Sequence, residues 1–263
     1  MRVLTIEARA APEIHLYLIG DEHMGTRYHA ANEMEKTIKR VQDDPLARWV
    51  GMGDKCEFIT PSDPRWDGGS IAEWVRPDNI ALDQANYYCD ILAPIADKCD
   101  GLLWGNHEKD IRKHSHINVQ EYICKLLGVE DLGFQAWIHY QLEPTKTQRY
   151  ALDVVVTHGA GGAITRGAKM NRLERLMGAF DAQIFGHGHV HDVILHAGNP
   201  YLYRSKQGKL KQRRKVGAMT GCYFRTYTQD AEASYGEQKN YPPTIIGTPM
   251  FTIRPEGEIV VSA

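Results

Sequence analysis

Five times along this chain a short apolar run stops at a glycine or threonine and gives way at once to an aspartate, an asparagine or a histidine. Run 14–19 leads into Gly20-Asp21, run 49–52 into Gly53-Asp54, and run 102–104 into Gly105-Asn106. Run 152–156 leads into Thr157-His158, and run 182–185 into Gly186-His187. Brief apolar stretches bounded by turn residues read as buried strands. The five polar residues are spaced by 33, 52, 52 and 29 positions, each enough for a crossover back to the same edge of a sheet. Ligands bind at the carboxyl ends of the strands in open α/β sheets. The pattern therefore predicts a pole at which acids and histidines gather, with glycine allowing the backbone to approach an ion closely.

Between these runs lie helical candidates at 30–41, 78–96, 119–127 and 169–180. In the last, Met170, Leu173, Met177 and Phe180 fall on one face. After His189 the stretches 193–195, 201–203, 215–219, 223–227, 249–253 and 258–261 read as hairpin strands of an antiparallel sheet. Two mixed sheets packed face to face and flanked by helices, a four-layer α-β-β-α sandwich, is the expected closure. The 263 residues show no linker that would divide them, so one domain spanning 1–263 is expected. A Pro-, Gly- and Trp-rich insertion near 58–77 directly follows Asp54 and reads either as a wall of the cleft or as a surface excursion.

Five cysteines, an odd number with no Cys-x-x-Cys pair, read as reduced thiols. With no secretory leader and no apolar run long enough to span a bilayer, a cytoplasmic location without membrane association is expected. A formal charge of −2 selects no polyanion partner and excludes none.

The residue types point to metal. Carboxylate, imidazole and amide suit Mn, Fe, Zn or a similar divalent ion better than Ca. Cys56, inside a metal loop, reads as a small buried side chain. Two dications with two carboxylates and a hydroxide keep a net positive charge, which attracts phosphate and stabilises charge developed during attack.

The ordered set Asp21-x-His23, Gly53-Asp54-x-x-Glu57, Gly105-Asn106-His107-Glu108, His158 and Gly186-His187-x-His189 resembles the calcineurin-like metallophosphoesterase superfamily, over about two thirds of the chain. The resemblance implies the four-layer sandwich and two divalent ions, Mn foremost, with Fe, Zn, Ni or Mg as alternatives. It implies that Asp21, His23 and His189 hold one ion, that Asn106, His158 and His187 hold the other, and that Asp54 bridges them. It further implies in-line attack by a metal-bridging hydroxide. His107 would assist the leaving group, with Glu57, or else Glu108, orienting it.

The superfamily's Ser/Thr phosphatases carry an Arg soon after the bridging Asp and another before Gly-Asn-His-Glu; both are missing here. Their absence favours a monoanionic phosphodiester, of a nucleotide or nucleic acid, over a phosphomonoester; a non-catalytic binding scaffold comes last. Arg166, after a Gly-rich stretch, and His191 are candidate substrate contacts. The segment 204–215 holds seven basic residues and no acid. It reads as a phosphate-backbone contact near the cleft or, with better odds, as a solvated hairpin around Gly208.

Overall fold

The structure, a computed structural model, describes residues 1–9, 13–145, 147–198 and 200–263. Strand β1 (Arg2–Arg9) opens it. Strands β2 (Ile14–Ile19), β3 (Ala47–Gly51), β4 (Cys99–Leu103) and β5 (Asp131–Gly133) follow as parallel neighbours. Helices α1 (Ala31–Asp43), α2 (Ile80–Leu92), α3 (Asn106–Ser115) and α4 (Val119–Leu127) connect them. Strands β6 (Gln135–Thr145) and β7 (Gln148–Thr157) pair antiparallel, and helix α5 (Arg166–Ala179) leads to β8 (Ile184–His187). Strands β9 (Val193–His196), β10 (Pro200–Arg204), β11 (Leu210–Arg214) and β12 (Val216–Thr220) come next. Helix α6 (Tyr235–Gln238) and strands β13 (Met250–Ile253) and β14 (Ile259–Ser262) end the chain.

The strands form two six-stranded mixed sheets, ordered β14-β13-β2-β3-β4-β5 and β1-β6-β7-β8-β12-β9. Alternation along the strands builds the layers. Leu16, Leu18 and Val50 point inward and meet Ile138, Tyr140, Val154, Val156 and Ile184 of the second sheet. Their neighbours Tyr17, Ile19 and Trp49 point outward under a helical layer. Helix α1 contributes Met34, Ile38 and Val41 to that layer, spaced as one helix face requires. On the other side Val155, Phe185 and Met219 pack under Leu173 and Met177 of α5. The expected sandwich of two sheets between helices is therefore present.

Several expectations change. The carboxy-terminal part is not one antiparallel sheet. Strand β12 joins β8 in parallel, while β13 and β14 cross to the first sheet beside β2. The stretch 223–227 is not a strand. It makes one isolated bridge, His29 to Phe224, with Cys222 bridging Ile246 just before it, and belongs to a long excursion between β12 and β13. Strands β1 and β6 and helix α3 extend the reading. In β6 the alternation was present, with Ala136, Ile138, Tyr140 and Leu142 all buried.

Topology also places the basic segment. Strand β12 runs parallel to β8 with Val216 opposite Ile184 and Met219 opposite His187. The β10–β11 hairpin just before β12 therefore springs from the end of β8 away from His187. Lys215, at its base, donates to the carbonyls of Met177 and Phe180 at the end of α5. The solvated hairpin is what forms, turning at Gly208 (φ +80°), and its base is not near the strand ends that carry the candidate ligands. Among the described residues no helix is long and apolar enough to cross a membrane.

Candidate metal centre

Three loops after β2, β3 and β4 are laced together. The amides of Asp21 and His23 donate to the carbonyls of Gly53 (2.9 Å) and Asp54 (3.1 Å). The Glu108 carboxylate accepts the amides of Gly105 (2.7 Å), Lys55 (2.9 Å) and Asp54 (3.1 Å), so one buried acid ties the Asp54 loop to the start of α3. Gly105 has a steric reason to be glycine, because a Cβ there would collide with the Asp54 carboxylate and amide. The first turn of α3 also aims the His107 amide at Asp54 Oδ1 (2.9 Å), where a helix N-terminus favours an anion.

Asp21 (φ 52°), His23 (47°), Asp54 (53°), His189 (70°) and His191 (48°) are all in left-handed backbone conformations. Each costs on the order of 1 kcal/mol outside glycine. The five side chains fall into two adjacent clusters that share Asp21.

His158 donates Nδ1–H to the Met52 carbonyl (2.7 Å), which turns Nε2 toward Asp54 Oδ2 (3.2 Å) and Asn106 Oδ1 (3.2 Å). A ring nitrogen fixed by a backbone carbonyl, with the other left free, is how a ligating imidazole is oriented. His23 Nδ1 faces Glu57 Oε2 (2.9 Å), while its Nε2 lies 3.1 Å from His191 Nε2, itself 3.3 Å from Asp21 Oδ1. Three sets of atoms converge within 4.8 Å: Asp21, Asp54, His158 and His189; Asp21, His23 and His191; and His23, Glu57 and His107; the first two share Asp21.

Asp21 Oδ1 and His189 Nδ1 are buried and make no hydrogen bond of good geometry among the described residues, although His191 Nε2 lies 3.3 Å from the first and Asp54 Oδ2 4.0 Å from the second. Buried polar atoms are otherwise almost always satisfied. An acceptor-only oxygen and a ring nitrogen, both under-used and each in a cluster of acids and histidines, suit a cation, so the residues present fit divalent metal.

The electrostatics agree. Burial pushes the carboxyls of Asp21 and Asp54 up. Hydrogen bonding by His191 and the charge of His158 outweigh it at Asp21, and the imidazoles of His158 and His107 outweigh it at Asp54; both carboxyls lie below their usual range. Burial likewise opposes the His158 imidazolium, but Asp54 and then Asp21 push it up to about 10. The carboxylates demand positive charge here; without metal, a proton supplies it.

Asp21, His23, Asp54, Asn106 and His158 lie together in space, with His189. His187 does not join them. It is still within β8, its Nδ1 faces the Gly188 carbonyl (2.8 Å), and its ring packs on Gly159 in a separate shallow depression. His191, expected to touch substrate, lines the cavity and also lies against Asp21 and His23. Gly186-His187-Gly188-His189-Val190-His191 contains Gly-His-x-His in two registers, and the geometry brings the second one to the centre.

Arg166 does not line the cleft; its guanidinium bonds the Val193 carbonyl (3.1 Å). Lys169, one turn on, does line it, with Nζ 3.2 Å from Asp192 Oδ2. His107 lines the cleft beside the centre, but it is the Glu57 carbonyl that accepts its Nδ1–H, the Glu57 carboxylate being engaged with His23. Glu108 is fully occupied by backbone amides and does not orient His107. Lys55, the residue after Asp54, turns inward and donates to the Leu103 carbonyl and Gln120 Oε1 (both 2.7 Å).

The centre opens into a cavity of about 490 Å³. Ile59, Arg65, Asp67 and Ser70 of the 58–77 insertion form one wall. That wall is pinned by Trp74 stacked on Tyr87 of α2 (4.2 Å between centroids) and by Arg27 N–H to the Ser70 carbonyl (3.0 Å). Arg65 is forked onto Asp63 (2.7 Å) and Asp110 (2.8 Å). Another wall carries Phe224, Tyr235 and Tyr241 from the excursion between β12 and β13. None of Arg65, Lys169, Phe224, Tyr235 and Tyr241 was singled out as a site residue from sequence; only the insertion's position after Asp54 hinted at the first.

No family model matches the chain, and no curated protein matches it. Its fold is similar to that of a predicted phosphoesterase from Streptococcus pneumoniae, at 10% identity over 94% of this chain and 93% of that one, with a TM-score of 0.32. It is similar to Vps29 from Entamoeba histolytica complexed with zinc (12% identity, 95% and 97% covered, TM-score 0.38). A metallophosphoesterase from Sphaerobacter thermophilus is a third such structure (12% identity, 94% and 86% covered, TM-score 0.41). These likenesses are remote. In its own motif order and in its paired sheets between helices, the chain resembles the calcineurin-like metallophosphoesterase superfamily.

Proposed function

We propose that the chain is a binuclear-metal-dependent phosphoesterase that hydrolyses phosphodiester bonds of a nucleotide or nucleic acid. The observation that carries this is the convergence of two ligand sets, with under-used buried atoms on Asp21 and His189, at the mouth of a cavity. Asp21, His23 and His191 would hold one ion, and Asn106, His158 and His189 the other. Asp54, with Oδ2 3.2 Å from His158 and 4.0 Å from His189, lies beside the second set and would bridge. Bound there, two divalent ions supply Lewis acidity and a nucleophile at neutral pH.

The chain's own residues do the rest. His107, held at Nδ1 by the Glu57 carbonyl, keeps Nε2 for the leaving oxygen. Burial disfavours its charged form, but without metal Asp54 and Glu57 outweigh that and raise its pKa; its place beside the centre suits a proton donor to the leaving oxygen.

The preference for a diester rests on charge. Of the cavity's two strong cations, Arg65 faces Asp63 and Asp110, and Lys169 faces Asp192. Little surplus positive charge is left for the second negative charge of a monoester. A phosphomonoesterase is the second reading, favoured by the mere presence of Arg65 and Lys169 in the wall. With Mn²⁺, bis-p-nitrophenyl phosphate should be hydrolysed with a higher kcat/KM than p-nitrophenyl phosphate; the reverse order would establish the monoesterase.

A further inference from the structure

The cavity changes character away from the metal pole. Phe224 lies directly against the centre, its ring 5.3 Å from that of His23 and 5.9 Å from that of His191. Tyr28 packs edge-on to Phe224 (5.6 Å), and Tyr235 and Tyr241, also in the lining, meet edge to face at 6.3 Å. The Phe224 and Tyr241 parts of this wall are tied down, while Tyr235 (61% exposed) offers its ring at the rim. Tyr28 Oη donates to the Glu232 carbonyl (3.0 Å), Thr244 Oγ1 to Phe224 O (2.8 Å), and the Tyr241 amide to Gly236 O (2.8 Å). A preformed aromatic surface beside a phosphate site binds a flat apolar group at little ordering cost.

Charge limits what else can enter. Asp67 also lines the cavity, and its cations Arg65 and Lys169 are carboxylate-paired. The basic hairpin that could follow a polyanion springs from the opposite end of β8. The cleft is therefore equipped for one phosphate and one flat group, not for a run of backbone phosphates.

We propose that the recess bounded by Phe224, Tyr235 and Tyr241 takes the base of a nucleoside esterified to the phosphate at the metal centre, so that the substrate is a small nucleoside phosphodiester or the end of a chain. This rests on the phosphodiesterase reading and narrows it. Stacking selects for a flat ring but not for its edge, so purines and pyrimidines are accepted alike.

The test uses two esters with the same leaving group, thymidine 5′-(p-nitrophenyl phosphate) and methyl p-nitrophenyl phosphate, on the Mn²⁺-loaded protein. The nucleoside ester should have a kcat/KM about ten-fold higher, carried by KM. In the Tyr235→Ala/Tyr241→Ala double variant that ratio should fall toward one, and in the Phe/Phe counterpart it should survive. Calorimetry should show thymidine 5′-monophosphate binding about ten-fold more tightly than methyl phosphate, and the alanine variant abolishing the difference. Equal treatment of the two esters, or equal binding of the two phosphates, overturns the recess whether or not the protein is a diesterase. Failure of both esters with nucleotide binding retained sinks the diesterase reading and leaves the recess standing.

Discussion

His187, His189 and His191 are chemically alike and differ in where β8 stops. His187 is the last residue of the strand, so its ring is directed by the sheet; His189 and His191 follow in left-handed conformations that fold them back onto Asp21. Replacing His187 with alanine should leave two metal ions per chain, whereas His189→Ala and His191→Ala should each lose metal, as measured by elemental analysis after gel filtration. Loss of metal on replacing His187 alone would restore the first register. Sequence could not separate the registers, because both satisfy Gly-His-x-His and a one-residue error in the strand end decides between them. The grouping of Asp21, Asp54, Asn106 and His158 was legible because each closely follows an apolar run, and His23 because it stands two residues after Asp21. The role of Glu57 was half legible: its position marked it, but the carboxylate serves His23 and only the carbonyl serves His107. Glu57→Gln, which keeps the shape and removes the charge behind His23, should weaken metal binding about ten-fold or more in a chelator competition. Unchanged affinity would show that His23 needs no such support.

At the level of elements, the sequence marked where the insertion and the basic segment begin but not where they point. The hairpin is determined by partners distant in the chain: β12 pairs with β8, and that pairing alone carries Arg204 to Arg214 away from the metal pole. Changing Lys206, Lys209 and Lys211 to Gln should therefore leave kcat/KM on a small phosphodiester within about two-fold at physiological salt, where surface charges beyond roughly 8 Å are screened. A large loss would bring the hairpin back to the cleft. The 223–227 stretch, rich in aromatics, has strand-like composition. It was drawn off by tertiary contacts such as the Arg225 amide to the Tyr28 carbonyl (2.9 Å), an outcome that β-propensity cannot foresee. In the insertion, hydrogen bonds from Arg65 are the main cause that holds the Asp63 carboxyl down at about 2, against burial. Because the folded value lies below the unfolded one of about 3.9, the stabilisation is complete above pH 4 and is lost as pH falls through 2. Asp63→Asn should thus cost about 1 kcal/mol, discounted for the half-exposed Arg65, at every pH from 5 to 8. Denaturant titrations should show that deficit closing below pH 3; a deficit that persists there would assign it to packing instead.

Across the whole molecule, the two sheets divide the ligands. Asp21, His23, Asp54 and Asn106 follow strands of the first sheet, and His158, His189 and His191 follow strands of the second. Metal bound between these candidate ligands would fasten the sheets at one pole, over and above the apolar layer they share. A ligand that binds only the folded state stabilises it by about 4 kcal/mol at a thousand-fold excess over Kd, and in a chain of this size each kcal/mol moves Tm by roughly 2–4 °C. Saturating Mn²⁺ should therefore raise Tm by about 10 °C over the chelated protein. The size of that gap should depend on pH in a definite direction. Without metal, Asp54 and Asp21 push His158 up to about 10 in the folded state, against burial. That stabilisation is fully present below the unfolded histidine value of about 6.5 and is lost as pH rises through 10. With metal, the same imidazole must be neutral to ligate, so binding releases its proton and strengthens as pH rises. Both effects act in one direction: the chelated protein loses stability toward alkaline pH while the loaded protein gains affinity. The Tm difference between the loaded and chelated protein should widen steadily from pH 6.5 to 8.5, and a difference that stays flat or narrows would show that His158 does not ligate.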